Sequence, residues 1–371
     1  PWAPCSIFCP STTLTDPVMS TQHIPPLPEL LAPAGSPEAL DAAIAAGADA
    51  VYLGGSRHNA RMNAHNFDAA ALREAVTHAH RMGSRVYLTL NTLVWDRELT
   101  DALEAAYEAA AAGVDALIIA DLGAAALIHR ALPNLPLHAS TQLSGHNAAA
   151  GQVLADFGFS RFVIARETSL GDLAHAVESN PLEVEVFIHG ALCVSHSGQC
   201  LFSSVVGGRS GNRGECAQPC RLPFACKKGG CPYPLSLKDL SLAAHVPALI
   251  ESGVASLKIE GRMKAPEYVR DTARIWRRLL DERRAATPDE MRELASIFSR
   301  GGFTDGYYKE KIDGKMLGVR SEDDKSASRT LAPFGGITRK IPLDFAVRMK
   351  ENEPITLTIS DKPRQIRLEG D

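Results

Sequence analysis

From Pro28 to Glu282 the chain repeats one unit. A short β-branched or Leu-rich run is followed by an Ala-rich amphipathic stretch and then by Gly or Pro. The strand runs fall at 29–33, 50–53, 85–91, 116–120, 136–139, 161–165, 183–189 and 256–260. Helices are expected between them, at 36–46, 69–82, 101–112, 147–157 and 242–252, and the last strand leads into a helix at 265–282. Ser36-Pro37-Glu38 reads as an N-cap, a first-turn proline and a first-turn carboxylate. Gly47, Gly83, Gly113, Gly158 and Gly253 each stand where a left-handed C-cap is needed. Strict alternation of strand and helix calls for a parallel sheet. Eight units favour an α/β fold closed as a TIM-like (β/α)8 barrel, with an open doubly wound sheet as the alternative.

The rest of the chain departs from that rhythm. Residues 1–22 are rich in Pro, Ser and Thr without helical or strand period and are expected to be disordered or vector-derived, with Met19 as a native start. The barrel is expected over 23–285, a helical and Gly-rich extension over 286–335, and the start of a β-rich C-terminal domain over 336–371. Two strands are expected in that tail, at 341–349 and 354–360, too few for an independently stable sheet. The chain is therefore expected to be the front part of a longer protein.

Charge and composition exclude little. The net charge of −4 points to no global nucleic-acid affinity, so contact with RNA requires a local basic patch. No apolar run reaches the roughly 20 residues of a membrane helix. No Lys or Arg precedes Arg57, so the charged start of a secretory signal is missing. A cytoplasmic protein without membrane partners is expected.

Six of the eight cysteines lie between Cys193 and Cys231. In a reducing compartment such a cluster binds metal or does redox work more often than it forms disulfides. The first four, Cys193, Cys200, Cys216 and Cys220, have the spacing C-x6-C-x15-C-x3-C among many glycines. That spacing leaves an iron–sulfur cluster, a zinc site and inert or oxidised thiols open. The segment 191–231 follows the seventh strand, so in a barrel it lies on the C-terminal face, where active sites sit. It holds Arg209, Arg213, Arg221, Lys227 and Lys228 against Glu215, five positive charges to one negative. The excess compensates thiolate charge or attracts an anionic substrate.

Several ordered blocks resemble peptidase family U32. The segment from Glu185 to Ser203 has the form E-x-F-x-x-G-A-L-C-x6-C-x-x-S. Leu30-Leu-Ala-Pro-Ala-Gly35, Tyr52-Leu-Gly-Gly55, Gly214-Glu-Cys-Ala-Gln-Pro-Cys-Arg221 and Ser256-Leu-Lys-Ile-Glu-Gly-Arg-Met-Lys264 are similar to its other blocks. The family takes its name from collagenase-like peptidases. The resemblance also implies oxygen-independent hydroxylases with a [4Fe-4S] cluster on Cys193, Cys200, Cys216 and Cys220. Their substrates are an rRNA or tRNA base, with the small carboxylate prephenate as hydroxyl donor, or a ubiquinone precursor, in which case a partner protein is expected. Some relatives carry a cysteine where this chain has Ser241, so Cys226 or Cys231 is an alternative ligand. The tail from Arg339 resembles the start of the extra domain in the branch that hydroxylates a 23S rRNA cytidine, which favours RNA over ubiquinone.

Polar residues at strand ends supply the catalytic candidates: His138, Arg166, Glu167, His189, Lys258, Glu260 and Arg262. His138 is a candidate general acid or base, Arg166 and Arg262 are candidate clamps for a carboxylate or phosphate, and Lys258 and Glu260 share one face of their strand. Each has an alternative as part of a structural ion pair closing the barrel. The loop 59–63 is a candidate substrate contact or a solvated loop. For a peptidase there is no His-Glu-x-x-His and no Gly-x-Ser-x-Gly, which leaves Cys193 with His189 or His196 as the candidate pair.

Overall fold

The computed structural model describes residues 25–61, 64–225, 232–329, 331–336, 343–350, 354–360 and 365–370. Residues 1–22, with Cys5 and Cys9, lie outside this set, as do Cys226 and Cys231. Eight parallel strands close on themselves. They are β1 (Glu29–Ala34), β2 (Ala50–Gly54), β3 (Arg85–Leu90), β4 (Ala116–Ile119), β5 (Leu137–Ala139), β6 (Phe159–Val163), β7 (Glu183–Ala191) and, one strand later in the chain, β9 (Ser256–Ile259). Closure is by β9, which pairs in parallel with both β1 and β7. A doubly wound sheet has two free edges and is thereby excluded. The five helix-terminal glycines all adopt positive φ, between 73° and 89°, as a left-handed cap requires.

The pleat sorts the core into two layers. Leu30, Val51, Val86 and Leu117 face the surrounding helices, while their neighbours Leu31, Ala50, Tyr87 and Ala116 turn into the barrel. Alternation thus buries both faces, as parallel sheets require. The helix Pro266–Asp281 covers the closure point with Trp276, Leu279 and Leu280, all fully buried.

Two additions were not legible in the strand rhythm. β8 (Asp239–Ser241) follows the cysteine segment and runs antiparallel to the end of β7, pairing Ser241 with His189. β10 (Phe303–Thr304) then adds to β8, so part of the expected extension joins the barrel sheet. The tail forms a separate antiparallel sheet of three strands: β11 (Asp344–Arg348), β12 (Ile355–Ser360) and β13 (Gln365–Gly370). The third strand was not expected. No helix among the described residues is long and apolar enough to cross a membrane.

Candidate active site

The barrel interior is charged rather than apolar along one wall. Glu185, fully buried on β7, accepts from Lys258 Nζ of β9 at 2.7 Å and from Arg161 of β6 at 3.3 Å. Arg161 also donates to Glu29 at 2.7 Å, and Tyr87 Oη donates to the same carboxylate at 2.7 Å. Burial alone would raise the Glu185 carboxyl, but Lys258 and Arg161 outweigh it and hold it below the usual range. Burial lowers the Lys258 ammonium against the pull of Glu185. The Lys258 ammonium also lies 4.4 Å from the Tyr52 ring centre.

At the C-terminal mouth the wall ends in a second cluster. Glu260 meets Arg61 at 3.0 Å and Arg166 at 3.3 Å. Burial pushes its carboxyl up, yet Arg61, Arg166 and Arg262 together hold it at about 2. Arg262 is buried, donates to Thr89 Oγ1 at 2.8 Å, and is lowered to about 10 by burial and by Arg61. Arg166 lies across the Phe187 ring at 4.0 Å, and its Nε is buried without a partner. Arg61 and Arg166 contact this carboxylate and Arg262 acts on it through its field, which leaves excess positive charge facing the cavity. Gly35 permits this closeness, because a Cβ there would collide with the carbonyl of Arg262.

The cysteine segment closes over this mouth. Cys193 and Cys216 border two adjoining cavities, Cys200 borders the inner one and Cys220 the outer. Both cavities also reach Arg61, Arg166 and Glu260. All four thiols are free. Burial raises the Cys220 thiol, Arg221 opposes this, and Cys193, Cys216 and Cys200 add to the rise. Tetrahedral zinc would draw its sulfurs to about 3.8 Å from one another. A thiolate-bound iron–sulfur cluster takes the same donors. Lys264, lowered to about 7 by burial and by Arg300, lies on the wall of the outer cavity.

The expected site residues separate into three places. Arg166, Lys258, Glu260 and Arg262 line the inner cavity together with three of the thiols. His138 lies deeper, buried edge-on to Tyr87, and burial with Arg161 lowers it to about 3. His189 is packed among Phe303, Tyr268 and Trp276, where burial lowers it to about 3, and its Nδ1 has no hydrogen-bond partner. It lines neither cavity, which removes it as the partner of Cys193: strict alternation would put it on the inward face with Glu185 and Phe187, but the register against β9 shifts between Phe187 and His189, and the ring packs against Tyr268 and Trp276 instead. Glu167 lies on the rim and accepts from Ser197 Oγ at 3.2 Å. The candidate loop 59–63 contributes Arg61, while Met62 and Asn63 lie outside the described residues.

Glu185 was not singled out from sequence as a charged group. The available signal was a lone carboxylate inside the apolar run Val184–Ile188, where burial demands a partner. The basic excess of the cysteine segment is also smaller in space than in sequence. Arg213 is tied to Glu98 at 2.7 Å, and Arg221 donates to the backbone of Leu192 and Leu237.

The profile of peptidase family U32 matches residues 35–317. A 23S rRNA 5-hydroxycytidine C2501 synthase from Escherichia coli (strain K12) is 42% identical over 259 residues, covering 68% of this chain and 39% of that one. A tRNA hydroxylation protein P1 from Bacillus subtilis (strain 168) is 38% identical over 269 residues, 68% of this chain and 63% of that one. A protein named collagenase from Porphyromonas gingivalis is 34% identical over 306 residues, 76% of this chain and 73% of that one. The chain thus spans less than two thirds of the length of the first two relatives.

Proposed function

The chain belongs to peptidase family U32, and on that premise we propose that it is a cytoplasmic iron–sulfur enzyme that hydroxylates an RNA base without molecular oxygen. The carrying observation is four free thiols spread around a cavity whose opposite wall holds Arg61, Arg166 and Arg262 with only Glu260 to balance them. Cys193, Cys200, Cys216 and Cys220 would hold a [4Fe-4S] cluster, since the donors are all thiols gathered at one mouth. Such a cluster, when bound, supplies one-electron chemistry and a Lewis-acidic iron. The chain's own residues do the rest. Arg166, with its unpaired Nε, and Arg262 bind and orient a small carboxylate such as prephenate, the source of the hydroxyl oxygen. The buried Lys258–Glu185 pair keeps the cavity floor rigid and excludes water from it. Names of the E. coli and B. subtilis relatives support rRNA or tRNA as substrate.

The test is anaerobic reconstitution with iron and sulfide of the wild type and a Cys216→Ala variant. Mass spectrometry of nucleosides follows, from rRNA and tRNA of cells that lack the hydroxylase and carry either gene. The expected result is about four irons per chain and a nucleoside heavier by one oxygen, both lost in the variant. An iron-free protein whose peptide cleavage survives Cys216→Ala would replace this reading with the peptidase one.

A further inference from the structure

Where the cysteine segment touches the barrel rim, three side chains from three different loops converge. His146 follows β5, Glu167 follows β6, and His196 lies between Cys193 and Cys200. One ligand atom of each lies within 4.8 Å of the other two, the one such trio among the described residues. No cysteine takes part in it.

We propose that His146, Glu167 and His196 form a second metal site, for a divalent transition ion of borderline softness. The first argument is the tautomer of His146. Its Nδ1 lies 2.6 Å from the carbonyl of Ser144, and a carbonyl only accepts, so Nδ1 carries the proton. In the neutral ring Nε2 then presents a lone pair. That atom is buried, has no hydrogen-bond partner, and faces a Glu167 carboxylate oxygen at 3.7 Å. Two acceptors facing one another repel unless a cation lies between them. Protonation of Nε2 is the competing solution, but a charge-assisted hydrogen bond closes to about 2.7–2.9 Å. The 3.7 Å gap is instead near that of two ligands on one ion, whose bonds of about 2.0–2.2 Å set them roughly 3–3.5 Å apart, so a small side-chain adjustment brings both onto it. An imidazole donating its other N–H to a backbone carbonyl is the usual outer-shell arrangement of a metal-bound histidine.

The second argument is preorganisation. Ser197 Oγ holds the Glu167 carboxylate at 3.2 and 3.3 Å. Ser144 takes a left-handed φ of 58°, its hydroxyl donates to the carbonyl of Ser197, and Gln199 Nε2 donates to that hydroxyl at 2.9 Å. The strained backbone at Ser144 is thus held by the same segment that carries His196. Gly198 lies so close to Gln142 that no Cβ fits between them. The ring of His196 stands edge-on to His146 at 5.7 Å.

Two imidazoles and one carboxylate select zinc, iron(II) or cobalt(II) over calcium or magnesium, which prefer oxygen ligands. Three protein ligands leave positions open, and His196 and Ser197 line the inner cavity, so a bound ion faces the same space as the thiols. It ties the cysteine segment to two rim loops.

Cobalt(II) alone, added to the metal-stripped full chain under anaerobic conditions, tests this. The wild type and Cys216→Ala are expected to share one tight equivalent with weak visible ligand-field bands and no near-ultraviolet thiolate band, and cobalt taken up by the thiols is read separately from the intense thiolate band that Cys216→Ala diminishes. Glu167→Gln and His196→Asn should each weaken that equivalent by roughly 10–100-fold or more. His196 is exposed, so its variant tests the ligand without unfolding the rim, and a circular-dichroism melt verifies this. Wild-type affinity in both variants, or cobalt spectra carried by thiolate alone, would overturn the proposal. Neither outcome depends on the iron–sulfur reading, because the measurement needs no cluster.

Discussion

Glu260 is the residue on which the mouth of the barrel turns. In the folded chain its carboxyl titrates at about 2 rather than 4.5, because Arg61, Arg166 and Arg262 overcome the burial that would raise it. A depressed carboxyl stabilises the fold above its unfolded value, and this contribution disappears as pH falls from about 4.5 through about 2. Its size is about 3 kcal/mol. Glu260→Gln should cost about 3–5 kcal/mol at neutral pH, since it leaves three cations without their shared anion. Urea midpoints of both proteins across pH would check this, and a variant with wild-type stability would contradict the reading. His189 works in the opposite chemical sense. Kept neutral among Phe303, Tyr268 and Trp276, it titrates at about 3 instead of 6.5, so only the unfolded chain takes up its proton between those values. Its contribution is complete above pH 6.5 and declines toward 3, by about 1.4 kcal/mol per pH unit. In His189→Phe, the slope of stability against pH in that window should lose one proton's worth, and an unchanged slope would show that His189 does not carry it.

At the scale of elements, the cysteine segment matters most, since it is held by contacts outside itself. Arg213 reaches back to Glu98 and to the carbonyl of Leu93, and its guanidinium lies 5.7 Å from the Trp95 ring centre. Gly198, at φ 78°, seats the segment directly on the backbone of Gln142. A methyl group there meets that backbone and also penalises the left-handed conformation. Gly198→Ala should therefore lift the segment and reduce iron bound after reconstitution several-fold. The barrel beneath should melt within a few degrees of wild type, because no barrel strand depends on this contact. Iron content and a circular-dichroism melt on the same samples separate the two effects. A parallel loss of melting temperature would mean that the segment is part of the barrel's cooperative unit.

For the whole molecule, closure depends on β9, which joins β1 to β7 and brings Lys258 to Glu185. Lys258→Met leaves Glu185 facing Arg161 alone in the interior and should destabilise by about 3–5 kcal/mol, whereas adding Glu185→Leu should recover most of that. Denaturant unfolding of the single and double variants gives the coupling directly, and additive losses would show that the pair is not a unit. The eight strands, their order and the terminal glycines were legible in the sequence because they follow local rules: periodicity, capping and chain reversal act over a few residues. The four thiols were legible as a group for the same reason, being near neighbours in the chain. What tertiary structure alone decided were relations between distant residues. His138 sits below the cavity because the pleat of β5 turns it inward, whereas His189 lies outside it because the pairing of β7 with β9 shifts register between Phe187 and His189. The antiparallel return of β8 against β7, Arg61 opposite Glu260, and His146 against Glu167 and His196 each join segments that no local signal relates. Closure of the barrel puts those segments side by side, and burial then turns their charges and lone pairs into chemistry.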